Sequence, residues 1–371
     1  MMSRYYAPRI KSMGIITIGF VFSAISGIIS RTLYIEMEEK VTGVKLTGAQ
    51  EDRLKGAILG AACGNALGGS CVGLNHKEIL GTAGARVLRD FVPGLTRSQY
   101  PEHKPGQVLS DFLLGKALAD IVIDNKGNLD KESLKNKFKV LLEDKEFLSS
   151  GPGAHCLASL RRLVDELPPS EDAIESTHVS GAARAFTLGC LPEAKNGNSR
   201  ESMAMLQAEL THNNKSVAAA AAVIAKTIAG LIQGIDLESE ENVKSYVGEQ
   251  LAFSRTIDER FADFWDDVAP DLDYSSQASD IPYSLVNVEP SVFECVPSAV
   301  GLFLIFRHDP EEAICAAARI GGDTDTVALI VGALAGAYHG ASKLPARWVE
   351  NLENREEVEK LAEAIIQLWQ A

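Results

Sequence analysis

From Thr47 to the end of the chain, apolar residues recur at the three- and four-residue spacing of helices. The stretch "TGAQEDRLKGAILGAACGNALGG" (47–69) opens with Thr47 and Gln50 spaced as a capping box and stops at Gly68-Gly69. "LDKESLKNKFKVLLEDKEF" (129–147) is amphipathic, with Leu134, Phe138, Leu141 and Leu142 on one side. "KSVAAAAAVIAKTIAGLIQG" (215–234) is apolar almost all round, which predicts a helix at the centre of a bundle. "DPEEAICAAARI" places Asp309 as N-cap, Pro310 at the first helical position and Glu312 to close a box. "NREEVEKLAEAIIQLWQA" ends the chain as an amphipathic helix.

Alternating strand patterns are scarce. "PDLDYSSQASDIPYSLVNVEP" (270–290) reads as a long surface connection. No repeat or composition break divides the chain after Thr47, so the expectation is one all-α domain over 47–371, preceded by an extension over 1–46.

That extension holds an uncharged run over 12–30, "SMGIITIGFVFSAISGIIS", behind Arg4, Arg9 and Lys11. It fits a signal peptide, a short membrane anchor, or a gene-model artefact upstream of a true start at Met37. Six cysteines lie far apart with no C-x-x-C pair, which points to reduced thiols and a cytoplasmic location, with secretion or membrane anchoring only through 12–30. A net charge of −14 argues against nucleic acid as partner and tolerates a bound cation.

The densest candidate chemistry is "GGDTDT", where Asp323, Thr324, Asp325 and Thr326 head an apolar helix. Helix capping accounts for one of the two aspartates. Converging hard oxygen donors suit Mg²⁺ or Ca²⁺, but one turn cannot complete a site, so other helices must contribute. The Gly pair ahead of them lets the backbone approach something closely.

"GGDTDTVALIVGALAGAYHG" resembles the C-terminal metal motif of the ADP-ribosylglycohydrolase family, and the similarity extends over roughly residues 52–345. "KGAILGAACGNALGG" is similar to the family's opening helix, "SSGPGAHCLASLRRL" to its glycine-bearing substrate loop, "THVSGAARAFTLG" to the segment usually reading Asn-Gly-x-x-Met-Arg, and "ELTHNNKSVAAAAAVIA" to the helix that starts with Thr-His. The resemblance implies an orthogonal all-α bundle with two Mg²⁺ in a cleft, and ADP-ribose or an ADP-ribosylated protein as partner. On matching positions it implies metal ligation by Asp323, Asp325, Thr326, Asp111 and Ser110. It implies substrate binding by Gly151, Gly153, Gly181, Arg184 and His212.

Departures from the family pattern reduce that expectation. The usual Thr-Asp-Asp-Thr run reads Leu109-Ser110-Asp111-Phe112, and Gly-Asp-Ala-Leu-Gly reads Gly64-Asn65-Ala66-Leu67-Gly68. Small and apolar residues around Cys71 and Val72 replace a glutamate found in some active members. Asp111, Asp323 and Asp325 leave three negative charges against the four positive charges of two Mg²⁺, which favours one ion. No catalytic residue is evident; a missing general base costs about 10²- to 10⁴-fold in rate unless Asp120, Glu102 or Glu294 substitutes. Three roles follow: an Mg²⁺-dependent hydrolase, a silent structural protein like the J-crystallin and selenoprotein J branch, or an ADP-ribose reader without turnover.

Overall fold

The computed structural model describes residues 45–167, 176–193, 198–275 and 280–370, of which 46–371 belong to one compact unit. The apolar run over 12–30 lies outside the described residues. Among those described there is no β-strand, only two isolated bridges, His178–Ser291 and Val288–Gly322. The all-α expectation holds.

The first helix, α1 (Gly48–Gly68), starts at the capping box read from sequence: the Thr47 hydroxyl accepts from the Gln50 amide and Gln50 Oε1 accepts from the Thr47 amide. After α2 (His76–Val87) and α3 (Ser110–Asp124), the amphipathic stretch breaks into α4 (Lys131–Glu143) and α5 (Lys145–Ser149). The break is at Asp144, whose extended backbone and side-chain bond to the Glu146 amide start a new helix. There follow α6 (Ala154–Val164), α7 (Ser180–Ala183) and α8 (Arg200–His212).

Helix α9 (Lys215–Gln233) is the buried central rod that its all-round apolarity predicts, ending at Gly234 in a left-handed conformation. It is the one described helix long and apolar enough to span a membrane, and it is spent in the core. The chain continues through α10 (Glu240–Arg255), α11 (Glu259–Val268), α12 (Val292–Ile305), α13 (Pro310–Arg319), α14 (Thr324–His339), α15 (Ala346–Glu350) and α16 (Arg355–Gln370). Asp309 caps α13, but Glu312 does not close a box; its carboxylate pairs with Arg89 and Arg319 instead.

Helices α1 and α14 run antiparallel with almost nothing between them. A methyl group on Gly56, Gly60, Gly64 or Gly68 would lie 2.2, 2.1, 1.9 or 2.3 Å from the carbonyl oxygen of Gly336, Gly332, Ala328 or Thr324, respectively. Glycine every fourth residue makes a smooth groove on α1, and the facing backbone fills it. This contact brings the start of α14 against the end of α1.

Candidate active site

The Gly-Gly pair ahead of α14 has left-handed backbone at both residues, φ +85° and +83°. Its close approach is to the protein's own loops. A methyl on Gly322 would lie 2.0 Å from Val288 O, and one on Gly321 would lie 2.5 Å from His76 N. Gly322 N donates to Leu74 O and Asp323 N to Val288 O, so the pair is stitched between the 72–75 and 287–289 segments. The 270–290 connection therefore does not stay on the surface: its end builds the site.

Asp323 occupies the N-cap position of α14 without capping it. By contrast Thr47, Asn75, Asp130, Ser199, Asn214, Ser239, Asp258 and Asp309 all cap their helices through the side chain. The Asp323 carboxylate instead accepts from the Cys295 thiol at 3.5 Å. Thr324 donates to Gly68 O at 2.8 Å, tying α14 to α1. Thr326 donates to Asp111 Oδ2 at 2.7 Å, joining α14 to α3. Asp325 Oδ1 is buried with no hydrogen-bond partner.

These side chains open on a cleft of about 480 Å³. Its lining includes Ser110, Asp111, Asp323, Asp325 and Thr326 on one side and Gly151, Gly153, His155 and His178 on the other. Burial pushes the Asp323 carboxyl up to about 6, with Asp111 adding repulsion. Asp325 is raised well above the carboxylate range, by burial first and then by Asp323 and Asp111. Asp111 is raised by burial, against the pull of Thr326 and Arg184.

Asp111 raises the proton affinity of Asp323, and both raise that of Asp325, so the site is short of positive charge. The orphaned oxygen on Asp325 and the hard-oxygen donor set fit one divalent cation. Among the described residues no three His, Cys, Asp or Glu side chains are gathered as metal ligands, so the acids would have to converge on an ion; Thr326 can keep donating to Asp111 and still offer an oxygen lone pair.

Of the residues expected to bind substrate, Gly151 and Gly153 line the cleft. Gly151, at φ +80°, is held by the Tyr100 hydroxyl, which donates to its carbonyl at 2.7 Å. Helix α6 starts at Gly153 with no side-chain cap, leaving its first amides toward the cleft wall.

Gly181, Arg184 and His212 are fully or almost fully buried and stand behind the lining. Arg184 donates to Gln207 Oε1, to Thr211 Oγ1 at 2.6 Å and to Gln207 O at 3.3 Å, and lies over the Phe138 ring. Burial lowers it to about 10. His212 packs against Gly181 and is held well below the usual histidine range by burial and then by Arg184. Of the proposed substitute bases, none lines the cleft: Asp120 pairs with Lys116 and Lys137, Glu102 is exposed, and Glu294 accepts from the Glu289 amide at 2.8 Å.

Sequence reading missed Tyr100, His155, His178 and Glu289, all of which line the cleft. His155 and His178 stack with ring centroids 5.6 Å apart. His178 Nδ1 accepts from the Ser180 amide at 3.2 Å, which leaves the proton on Nε2. Burial and the neighbouring His155 lower His178 to about 4, so it stays neutral. Glu289 is exposed and is the cleft's remaining carboxylate.

Fold and site together define an all-α protein with an acidic cleft between helix starts. Residues 46–371 match the ADP-ribosylglycohydrolase family model, and the chain belongs to that family. It is 25% identical over 301 residues to the uncharacterized protein YegU of Escherichia coli, covering 79% of this chain and 89% of that one. It is 25% identical over 325 residues to the ADP-ribosyl-[dinitrogen reductase] glycohydrolase of Rhodospirillum rubrum, covering 85% and 96%. Similarity to human ADP-ribosylhydrolase ARH3 is higher, 36%, but confined to 90 residues, or 22% of this chain and 25% of that one. A solved ADP-ribosylglycohydrolase-related protein complex contains a chain with the same fold, at a TM-score of 0.63 and 23% identity over 87% of this chain and all of that one.

Proposed function

We propose that this protein hydrolyses the glycosidic bond joining ADP-ribose to a protein side chain, with a single Mg²⁺ held by Asp111, Asp323, Asp325 and Thr326 and flanked by Ser110. The observation that carries this is Asp325 Oδ1, buried at the cleft without a donor. Leaving a buried acceptor unmatched costs about 1–3 kcal/mol, and a fold gains nothing from it unless a ligand supplies the match. The names of the Rhodospirillum rubrum and human relatives describe removal of ADP-ribose, which supports the same reading.

The bound ion would polarise a ribose hydroxyl and orient water. This chain's own groups do the rest. The uncapped start of α6 and the Gly151–Gly153 turn suit the diphosphate, because free amides and the helix dipole favour an anion there. His178 offers an Nε2–H donor that does not titrate near neutrality. Glu289, on the cleft lining, would take a proton from the attacking water and pass it to the departing side-chain nitrogen or oxygen as the bond at the anomeric carbon breaks. Three carboxylates rather than four or more favour one ion over two.

A purely structural, crystallin-like role places no demand on the uncapped Asp323 or on Asp325 Oδ1, and is not favoured. We place the protein in the reducing cytoplasm on its six free, buried cysteines. The deciding assay incubates the full chain with ADP-ribosyl-arginine and ADP-ribosyl-serine peptides and measures free ADP-ribose. Mg²⁺-dependent release, abolished by chelation and cut about 10²- to 10⁴-fold in Glu289→Gln, is expected. No release of either linkage by folded protein in Mg²⁺ would overturn the proposal.

A further inference from the structure

Asn65 lies on α1, one turn before Gly68, and is completely buried. Its Oδ1 accepts from the Leu109 amide at 2.5 Å, and its Nδ2 donates to the Asp325 carbonyl at 3.5 Å. Leu109 is the N-cap of α3, the helix that carries Asp111, and an apolar side chain cannot cap it. Asp325 is the second residue of α14. One amide therefore touches the starts of both helices that bring carboxylates to the cleft.

The other tie between those helix starts is Thr326 to Asp111, and it lies among the groups that would ligate the ion. An arriving cation would engage both of its partners. Asn65 stands behind the site, off the cleft lining, and has no need to move. An aspartate at this position could still accept from Leu109. It could not donate to the Asp325 carbonyl, and it would add a fourth acid to three that already repel.

We infer that Asn65 is a positioning residue for the candidate metal site, fixing the separation of Asp111 from Asp325 by hydrogen-bonding both helix starts at once. The inference rests on the metal reading proposed above and names the device that keeps its two halves in register. A bridging side chain needs one acceptor and one donor, and asparagine has both.

The test compares Asn65→Ala and Cys63→Ala in the full chain. Cys63 is a fully buried residue on the same helix with no part in the cleft, so its loss reports general loosening of α1. Mg²⁺ and Mn²⁺ affinity is read by calorimetry and metal-free stability by urea unfolding. Asn65→Ala should bind metal at least tenfold more weakly, while Cys63→Ala loses stability and keeps its affinity. Parallel losses in both variants, or unchanged affinity at position 65, would mean a structural role only and overturn the inference.

If the unaltered protein binds neither metal, the proposed function falls, and a crystal structure of Asn65→Ala still decides this point. Loss of the 2.7 Å Thr326–Asp111 contact supports the coupling; its retention overturns it.

Discussion

Gly60 and Gly332 meet backbone to backbone: a methyl group on Gly60 would lie 2.1 Å from Gly332 O, and one on Gly332 would lie 2.0 Å from Gly60 O. No rotamer relieves such a contact, because it involves Cβ itself and main chain. Gly60→Ala must push α14 away from α1 along its whole length. We expect a loss of about 1–3 kcal/mol or more in urea unfolding, or failure to fold. Gly81→Ala, where a Cβ meets open space, is the matched control and should be neutral or slightly stabilising.

Asp325→Asn removes an acid that burial and two neighbouring carboxylates make costly. Metal-free protein should therefore gain stability, on the order of 1–3 kcal/mol, while the stabilisation given by Mg²⁺ disappears. A destabilised metal-free variant would show that Asp325 serves the fold and not a ligand. Thermal melts with and without Mg²⁺ read both effects.

The pH dependence has a definite sign. Asp323 sits near 6 in the folded protein against an ordinary value near 3.8, so the fold favours its protonated form. That stability is fully present below about 4 and is lost as pH rises through 6. A cation replaces the proton and removes the penalty. The Mg²⁺-induced rise in Tm should thus be small at pH 5 and grow to a plateau above pH 7. A shift that is larger at pH 5 would rule out these carboxylates as ligands.

Arg184→Met should lower stability by roughly 3 kcal/mol, since it strips Gln207 and Thr211 of a charged donor and leaves them buried. Its ADP-ribose affinity should stay unchanged while the protein is folded, because Arg184 does not line the cleft. A tenfold loss of affinity at full folding would put Arg184 back among the ligand-binding residues.

Periodicity made the helices legible, since an apolar stripe and a cap at its start are local properties. Thr47, Asn214 and Asp309 each cap the helix that the pattern starts beside them. The pairing of α1 with α14 was not read from sequence, because glycine at 56, 60, 64 and 68 does not by its spacing name 332 and 336 as partners. The acidic cluster at the cleft was readable because four oxygen-bearing side chains in a row exceed what capping needs. Depth was not readable. Arg184 follows small residues and His212 precedes an apolar helix whether they face a ligand or a neighbouring helix. Tyr100 and Glu289 arrive on loops with no period, placed by bonds such as Tyr100 to the Gly151 carbonyl that form only after the chain has folded.

The account stands on the Asp111–Asp323–Asp325 cluster binding a cation that in turn helps hold ADP-ribose. Calorimetric titration of the full chain with ADP-ribose, with and without Mg²⁺, and of Asp325→Ala alongside, tests this most directly. Binding that strengthens at least tenfold with Mg²⁺ and loses that gain in Asp325→Ala is the predicted result. Equal binding under both metal conditions, or no heat from protein shown to be folded, would contradict it.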